Sequence, residues 1–420
     1  MTKFILWIFW LGVCLNGTLS ILIAIPNESA KYSKDALVNS LRCLETIRGD
    51  ATRISKTRNW VAENLVELRE PGMSLAILKK SPPHYLVPFG CVDSGTLSIR
   101  YGDTHSVEQL MKLALDLLPY AAGKGGDSLA SQILRIGTVI QDPVLVKCGW
   151  DAEIITQSNL RPGYNDFLRV WRPNLWNQLL NRLFPDRHWR ALERNATRQA
   201  EVTWQSERAR DYYTCILLIC EAEGRVRAGK SYPSSWIQFV ESGIRAPSVN
   251  TRPAALSAEL AQLAFMEKRN DAAIDQVILT WKLLGEWSPQ MSGIYGVERD
   301  LALVLAKIPE AGKRLDEVKT RIAKRAEIAQ KTLDGYDQMH YLPLLAEASQ
   351  GLSEPVEAQK IWQRAAELCA GNGNPEARSI GLTRIWMSYA RANTWPTKEI
   401  EALLLKTEKQ LPEAYSKVNF

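Results

Sequence analysis

The sequence has few histidines and no group of residues with metal-binding spacing. Its four histidines are scattered over 420 residues, and no Cys-x-x-Cys pair or mixed Cys/His cluster provides a zinc-binding pattern. Recognisable catalytic and cofactor-binding motifs are absent as well. The sequence therefore predicts no catalytic residues, no cofactor and no metal site.

An excess of charge of one sign is also missing. The chain carries 52 Lys+Arg against 46 Asp+Glu, a formal net charge of +6 that is small for its length. Nucleic-acid-binding proteins usually concentrate Lys and Arg on one face, so we predict no nucleic-acid partner. A content of 46% hydrophobic and 23% charged residues is that of an ordinary folded protein.

The cysteines are too irregularly spaced to require a disulfide framework. Six follow Cys14: Cys43, Cys91, Cys148, Cys215, Cys220 and Cys369. An even number in an exported protein permits disulfides and leaves their status open. Cys215 and Cys220 are expected on different faces of one helix, beyond the roughly 7 Å between Cα atoms that a bridge allows. We interpret the cysteines as small buried hydrophobic residues.

A hydrophobic run opens the chain. Lys3 precedes the largely apolar residues 4–25, a pattern typical of an export signal. About 20 apolar residues also suffice to span a bilayer. We predict that residues 1–25 are a signal peptide or an N-terminal membrane anchor, with a buried structural helix as the alternative. The protein is then exported, periplasmic or extracellular, and in the anchored form associates with the membrane through this segment.

Residues 33–150 are predicted to form an N-terminal helical region. Helical periodicity covers Ser33–Ile47 and Ile54–Arg69, and Ser33 is a suitable N-cap. It resumes at Ser106–Tyr120 and Ser128–Ile140. Between these pairs, prolines, glycines and short β-favouring runs predict a small irregular or β-containing insertion near residues 71–102.

Arginine and tryptophan alternate along residues 151–210. Because arginine stacks on aromatic rings and forms forked hydrogen bonds to carboxylates and phosphates, this segment is a candidate surface for an acidic partner or anionic lipid headgroups. The candidate partner-binding residues are Arg169, Arg172, Arg187, Arg190 and Arg194. The alternative is an ordinary charged helical face whose tryptophans lie in the core.

From residue 211 to 412 the pattern becomes regular. Five successive helix pairs are predicted, with first helices centred near residues 218, 261, 304, 346 and 390. The period of about 43 residues lies in the range of two-helix repeats. Three alanine pairs are each twelve residues apart, a spacing that suits the closest crossing in a helical hairpin. They are Ala261 with Ala273, Ala346 with Ala358, and Ala390 with Ala402.

This part of the chain resembles a tetratricopeptide (TPR) repeat. Residues 260–274 follow the TPR pattern of Leu-small near the end of the first helix and Ala early in the second. Leu345-Ala346 with Ala358 repeats it, and Tyr389-Ala390 with Ala402 does so more weakly. The resemblance implies an all-α, αα-hairpin solenoid with a concave groove that holds peptides or partner helices.

We therefore predict an exported or membrane-anchored TPR-like scaffold that binds a protein or peptide partner in its groove. One alternative is an α/α-barrel carbohydrate-active enzyme, a lyase or glycosidase, which needs two facing carboxylates. A closed helical ring with buried acids would favour the enzyme, and an open superhelix would count against it. Asp151, Glu153, Asp166 and Glu201 are candidate acids, although no motif singles them out. The other alternative is a membrane-surface component that uses the arginine-rich segment.

Overall fold

The computed structural model describes residues 33–121, 126–140, 142, 144–146, 148–149, 212–245, 252–285 and 293–412. Every regular element in these residues is helical, which confirms the all-α prediction. The predicted signal or anchor and the arginine-rich segment 151–210 lie outside them. Among the described helices, none combines the length and the apolar character that a membrane span requires.

Six α-helices are described between residues 33 and 140. They are α1 (Lys34–Thr46), α2 (Ala51–Glu67), α3 (Pro71–Lys79), α4 (Val87–Ile99), α5 (Thr104–Asp116) and α6 (Gly126–Val139). As predicted, Ser33 caps α1, because its hydroxyl accepts a hydrogen bond from the amide of Ala36 at 3.3 Å.

The prediction of an irregular or β-containing insertion near residues 71–102 is wrong, because α3 and α4 occupy this stretch. Pro71 and Pro88 stand in the first two positions of these helices, where a missing N–H costs nothing. The glycines of α4 mark close packing, since a Cβ on Gly90 would lie 2.2 Å from Cγ of Asn59. Residues that usually interrupt helices therefore start and pack them here.

Ten further helices follow, and they confirm the ten helices predicted after residue 210. They are α7 (Tyr212–Arg227), α8 (Ser234–Arg245), α9 (Pro253–Met266), α10 (Asn270–Leu284), α11 (Gly293–Leu305), α12 (Lys313–Thr332), α13 (Gly335–Gly351), α14 (Pro355–Gly371), α15 (Pro375–Arg391) and α16 (Lys398–Lys409).

Seven of these helices form an inner layer that closes on itself. The inner helices are α2, α4, α7, α9, α11, α13 and α15, and each packs against the next. Because α15 also contacts α2, the inner helices complete a ring. Most of the remaining helices lie outside this ring, and each contacts the inner helix that precedes it in the chain.

The N-terminal helix α1 closes the ring from the outside. It runs antiparallel along α15, where the amide of Ser33 donates to the carbonyl of Ala390 at 3.3 Å. Closer to the other end, the hydroxyl of Ser40 donates to the carbonyl of Thr383 at 2.8 Å. Helix α16 packs mainly against α14. The outer partner of the last inner helix is therefore the first described helix.

Because α1 packs on α15 while α16 packs mainly against α14, only two of the three predicted alanine pairs lie at helix crossings. Ala261 with Ala273 and Ala346 with Ala358 are fully buried in helices that pack as hairpins, as predicted. Ala390 is also fully buried, but it lies against α1, and Ala402 on α16 is exposed. The third pair was therefore wrong as a helix crossing.

One backbone turn recurs at the ends of six inner helices. In each, one residue takes a positive φ, and the amide after it bonds to a carbonyl five residues back, the arrangement of a Schellman motif. The positive-φ residues are Arg69, Gly102, Gly229, Lys268, Ser353 and Asn393. The same turn thus occurs in residues 33–121, which the predicted repeats did not include. Helix α11 ends differently, in a 3-10 turn at Pro309–Ala311.

Candidate functional site

Inner helices that touch each other run parallel. Arg391 near the end of α15 lies 2.8 Å from Glu67 near the end of α2. Two turns earlier on both helices, the guanidinium of Arg384 stacks 4.6 Å from the ring centre of Trp60. A single outer helix returns the chain between most consecutive inner helices, so their N-terminal ends share one side of the ring. We call that side the N-terminal mouth.

Near the opposite side, one ion-pair network joins four inner helices. Arg391 lies 2.8 Å from Glu67 on α2 and 3.3 Å from Glu347 on α13. Arg299 on α11 approaches Glu347 at 3.7 Å. Burial would raise the pKa of Glu67, but Arg391 and Arg299 outweigh it and the pKa is lowered. The network thus includes charged side chains from both helices of the contact that closes the ring, α15 and α2.

A second network joins the other three inner helices. Arg100, directly after α4, lies 3.0 Å from Glu223 on α7 and 2.5 Å from Glu259 on α9. Burial raises the pKa of Glu223 to about 7 although Arg100 opposes the shift. Burial also raises the pKa of Glu259, and the neighbouring carboxylates Asp300 and Glu67 raise it further against Arg100. The carboxyl groups of Glu67, Glu259 and Asp300, from three inner helices, therefore interact electrostatically.

We call the ring of side chains made by the two networks the charged belt. It consists of Glu67, Arg100, Glu223, Glu259, Arg299, Glu347 and Arg391. Each of the inner helices, or the turn directly after it, contributes one member. Glu67 and Glu259 keep 30% and 23% of their side-chain surface exposed, whereas Arg391 and Arg100 keep 11% and 6%. The two carboxylates thus border accessible space while their arginines lie between the helices.

Open space adjoins α11 one turn before its belt residue Arg299. Gly296 lies on α11, one turn before Asp300, and a Cβ built on it meets no atom within 4 Å. Gly224 on α7 is different, because its Cβ would lie 2.6 Å from the carbonyl oxygen of Ile99. We call the open space in front of the first glycine, on the face of α11 that also carries Asp300, the lumen, whereas the second glycine fills a close helix contact.

The carboxyl groups of Asp93 and Glu63 interact electrostatically with each other. Burial raises the pKa of Asp93 on α4 to about 7, and Arg252 only partly opposes the shift. Burial and the nearby Asp93 raise the pKa of Glu63 on α2 well above its usual range. Two interacting carboxyl groups in a low-dielectric site ionise in two separate steps, so the pair carries a proton near neutral pH. Such a pair can exchange protons with a bound molecule.

Arg384 is a half-buried arginine on α15 that has no counter-ion among the described residues. Among the described residues it makes no ion pair or hydrogen bond, and its Nε is buried without a partner. Burial lowers its pKa to about 10, so it stays protonated at pH 7. His340 packs 4.3 Å from Tyr336, and its Nε2 is also buried without a partner. We call Trp60, Tyr336, His340 and Arg384 the arginine–aromatic cluster.

The residues predicted from the sequence lie elsewhere. Arg169, Arg172, Arg187, Arg190 and Arg194 fall outside the described residues, as do the candidate acids Asp151, Glu153, Asp166 and Glu201. The ring therefore brings together a set of charges that sequence reasoning did not select. Within the described residues, no group of three His, Cys, Asp or Glu side chains has the arrangement of a metal site.

The sequences of the inner helices contain patterns that could have identified these charged residues. Asp93 is the single charged residue between Val87 and Ile99. Placing a lone carboxyl group in such an apolar helix costs stability, so its presence indicates a functional position. Arg384 and Arg391 lie seven residues apart, and so do His340 and Glu347. Charges repeated at two-turn spacing inside mostly buried helices indicate an internal polar face.

No protein-family model, curated protein or solved structure matches the chain. The case for a function therefore depends on the geometry of the ring.

Proposed function

We propose that this chain is a TPR-like helical-repeat protein, wound into one closed turn, that binds a polar ligand inside its lumen. The observations that carry the proposal are the open space at Gly296 and the buried polar atoms of Arg384 and His340 that have no partner among the described residues. Buried charges and unpaired polar atoms cost stability, so their retention beside accessible space favours a role in binding. Recurrent helix pairs and the repeated Schellman turn support the TPR-like assignment.

The lumen suits a small polar ligand better than a partner helix. A groove for an amphipathic helix is lined by apolar side chains, whereas the charged belt surrounds this space and leaves Glu67 and Glu259 partly exposed. The protein-binding scaffold predicted from the sequence therefore needs a surface other than the inside of the ring. A protein or peptide partner on an outer face is compatible with a ligand in the lumen.

Blocking the lumen separates these functions. We expect Gly296→Trp to fold, because its side chain enters open space, and to exclude ligands from the lumen. Gly72→Trp is the matched control, because Gly72 is exposed on α3 with no atom within 4 Å of its Cβ. Thermal unfolding is measured with a panel of neutral sugars, acidic sugars and unstructured peptides. A ligand at ten times its Kd adds about 1.4 kcal/mol of stability.

Stabilisation by a sugar that Gly296→Trp abolishes and Gly72→Trp retains is the expected result. Stabilisation by peptides that persists in both variants would instead support the scaffold, with its site outside the ring. If every compound that stabilises the wild type stabilises Gly296→Trp equally, the lumen is not the binding site and the proposal is wrong.

A second candidate is the α/α-barrel carbohydrate-active enzyme, which the paired carboxyl groups favour. Asp93, with a pKa of about 7, and Glu63, whose pKa is raised by burial and by Asp93, are carboxyl groups of the kind that cleavage of a glycosidic bond uses as acid and base. Release of reducing ends from oligosaccharides tests this candidate. Glu63→Gln and Asp93→Asn should each lower the rate by about 100-fold or more, and the exposed Asp116→Asn should not. Turnover unchanged in both carboxyl variants would remove the enzyme.

We propose that residues 1–25 direct export, either as a cleaved signal or as an anchor. The pattern of Lys3 followed by a long apolar run supports this. Fusion of residues 1–32 to a reporter enzyme that is active only outside the cytosol tests it. Activity that is lost when residues 4–25 are deleted is expected, and a fully cytosolic wild-type protein would contradict export.

A further inference from the structure

We propose that the arginine–aromatic cluster is the anchoring subsite for the carboxylate of an acidic sugar, with Arg384 as its anion-binding residue. This inference rests on the proposed lumenal binding function and names its ligand class. The cluster belongs to α2, α13 and α15, which meet where the ring closes. It lies on the mouth side of the charged belt, two turns from the ion pair between Arg391 and Glu67.

Arg384 differs from the arginines of the belt in lacking a counter-ion. Arg391 has two carboxylate partners and Arg100 has two, all within 3.3 Å. Arg384 is stacked on Trp60 and pairs with no described carboxylate. The Nε of the half-buried Arg384 is buried without a partner, and an anion bound at the edge of the guanidinium would supply the opposite charge that the described residues do not. The structure thus supplies a cation whose natural complement is absent from the described chain.

Glu63 and Asp337, the carboxyl groups that interact electrostatically with Arg384, do not act as its counter-ion. Glu63 influences the pKa of Arg384 but makes no ion pair with it, and burial favours the protonated form of Glu63. Asp337 lies partly in solvent at the start of α13, and burial raises its pKa. Neither group forms an ion pair with the guanidinium of Arg384. An incoming carboxylate would therefore find net positive charge.

The geometry of the guanidinium selects a planar anion. Stacking on Trp60 uses the face of Arg384 and leaves its N–H donors at the edge, where a carboxylate binds through two parallel hydrogen bonds. The parallel inner helices also direct their N-terminal, partially positive ends toward the mouth from which a ligand enters. Electrostatics from the helices and from Arg384 thus favour the same sign of ligand charge.

The neighbours of Arg384 suit the rest of a sugar ring. Trp60 and Tyr336 are half-buried aromatic side chains that contact Arg384 and His340 respectively, and their remaining exposed surface can contact the C–H groups of a pyranose. His340 is neutral, because burial and Arg384 lower its pKa well below the usual 6.5, so its ring can accept one hydrogen bond and donate another to hydroxyl groups. A carboxylate attached to a hydroxyl-bearing ring matches this combination better than an isolated anion.

Calorimetric titration with three probes tests the inference on the full chain. Glucuronate carries both features, glucose carries the ring without the charge, and acetate carries the charge without the ring. We expect the wild type to bind glucuronate at least tenfold more tightly than either of the others. Arg384→Gln should weaken glucuronate binding at least tenfold and leave glucose binding unchanged. Arg364→Gln, an exposed arginine on α14, is the matched control and should bind as the wild type does.

Each other result has a definite meaning. Equal binding of glucuronate and glucose, with both lost in Gly296→Trp, would overturn the anion subsite while the lumenal site stands. Glucuronate binding that survives in Arg384→Gln would also overturn it. If Arg384→Gln fails to fold, Arg384→Lys takes its place, because lysine keeps the charge and loses the two-pronged contact. Wild-type protein that binds none of the three probes contradicts the inference.

Discussion

The guanidinium of Arg391 lies 2.8 Å from the carboxylate of Glu67, although 324 residues separate them in the chain. The pair joins the last inner helix to the first. It turns a row of helices into a ring, and it sets the level at which the charged belt forms. Several measurable consequences of the ring follow from this and related contacts.

Removing Arg391 should destabilise the protein in a pH-dependent way. Arg391→Met leaves Glu67 and Glu347 without their shared partner, and breaking a buried ion pair in this way costs about 3–5 kcal/mol. The cost should shrink at mildly acidic pH, where the two carboxyl groups take up protons instead. Urea unfolding at pH 5 and pH 8 measures the difference. Arg364→Met is the control, and an equal loss at both pH values would mean that packing outweighs charge.

The Asp93 carboxyl group should make the protein less stable as pH rises. Its pKa is about 7 in the folded protein against an ordinary 3.8, so the folded chain binds more protons between these values. Stability must then fall as pH increases through this range. Asp93→Asn removes this contribution, and we expect a gain on the order of 1–2 kcal/mol at pH 8 that is smaller at pH 5. Asp116→Asn should show no such dependence.

The closing helix α1 should contribute as strongly as an internal helix. Leu44 is 1% exposed on α1, and its truncation in Leu44→Ala should cost about 2–5 kcal/mol. Val38 lies on the same helix but is 52% exposed, so Val38→Ala should change stability by less than about 0.5 kcal/mol. Thermal and urea unfolding measure both. Similar small effects at the two positions would show that the ring does not need α1.

Two glycines on inner helices should respond to the same substitution with opposite signs. Gly296→Ala places a methyl group in open space and improves helix propensity, which should add about 0.5–1 kcal/mol. Gly224→Ala places it 2.6 Å from the carbonyl oxygen of Ile99, so the α4–α7 contact must open at a cost of about 1–3 kcal/mol. A loss of stability in both variants would contradict an accessible lumen at Gly296.

Much of the helix pattern was predictable because it is local. Apolar residues at helical spacing, the Ser33 cap and buried alanines such as Ala261 and Ala346 report on each helix and its hairpin partner. The prediction of an insertion near residues 71–102 is wrong because proline is common both in turns and at the first positions of helices. Pro71 and Pro88 start helices, and the sequence around them resembles a turn.

The candidate site was not predictable from local patterns. Glu63, Asp93 and Arg384 are far apart in the chain, and each alone reads as an ordinary helical charge. Their meaning depends on which helices become neighbours. The repeated turn was also hard to detect in the sequence. Its positive-φ position is occupied by residues such as Arg69, Lys268 and Ser353, and not always by the glycine that usually marks such a turn.

The sequence by itself determined that the described chain is helical, where most of its helices begin and end, and which small residues allow hairpins to cross. Those features depend on interactions within a few turns. Only the tertiary structure decided that α1 pairs with α15 in place of α16, and that the inner helices meet around a charged centre. Ring closure depends on small rotations accumulated over many helix pairs, which no local pattern specifies.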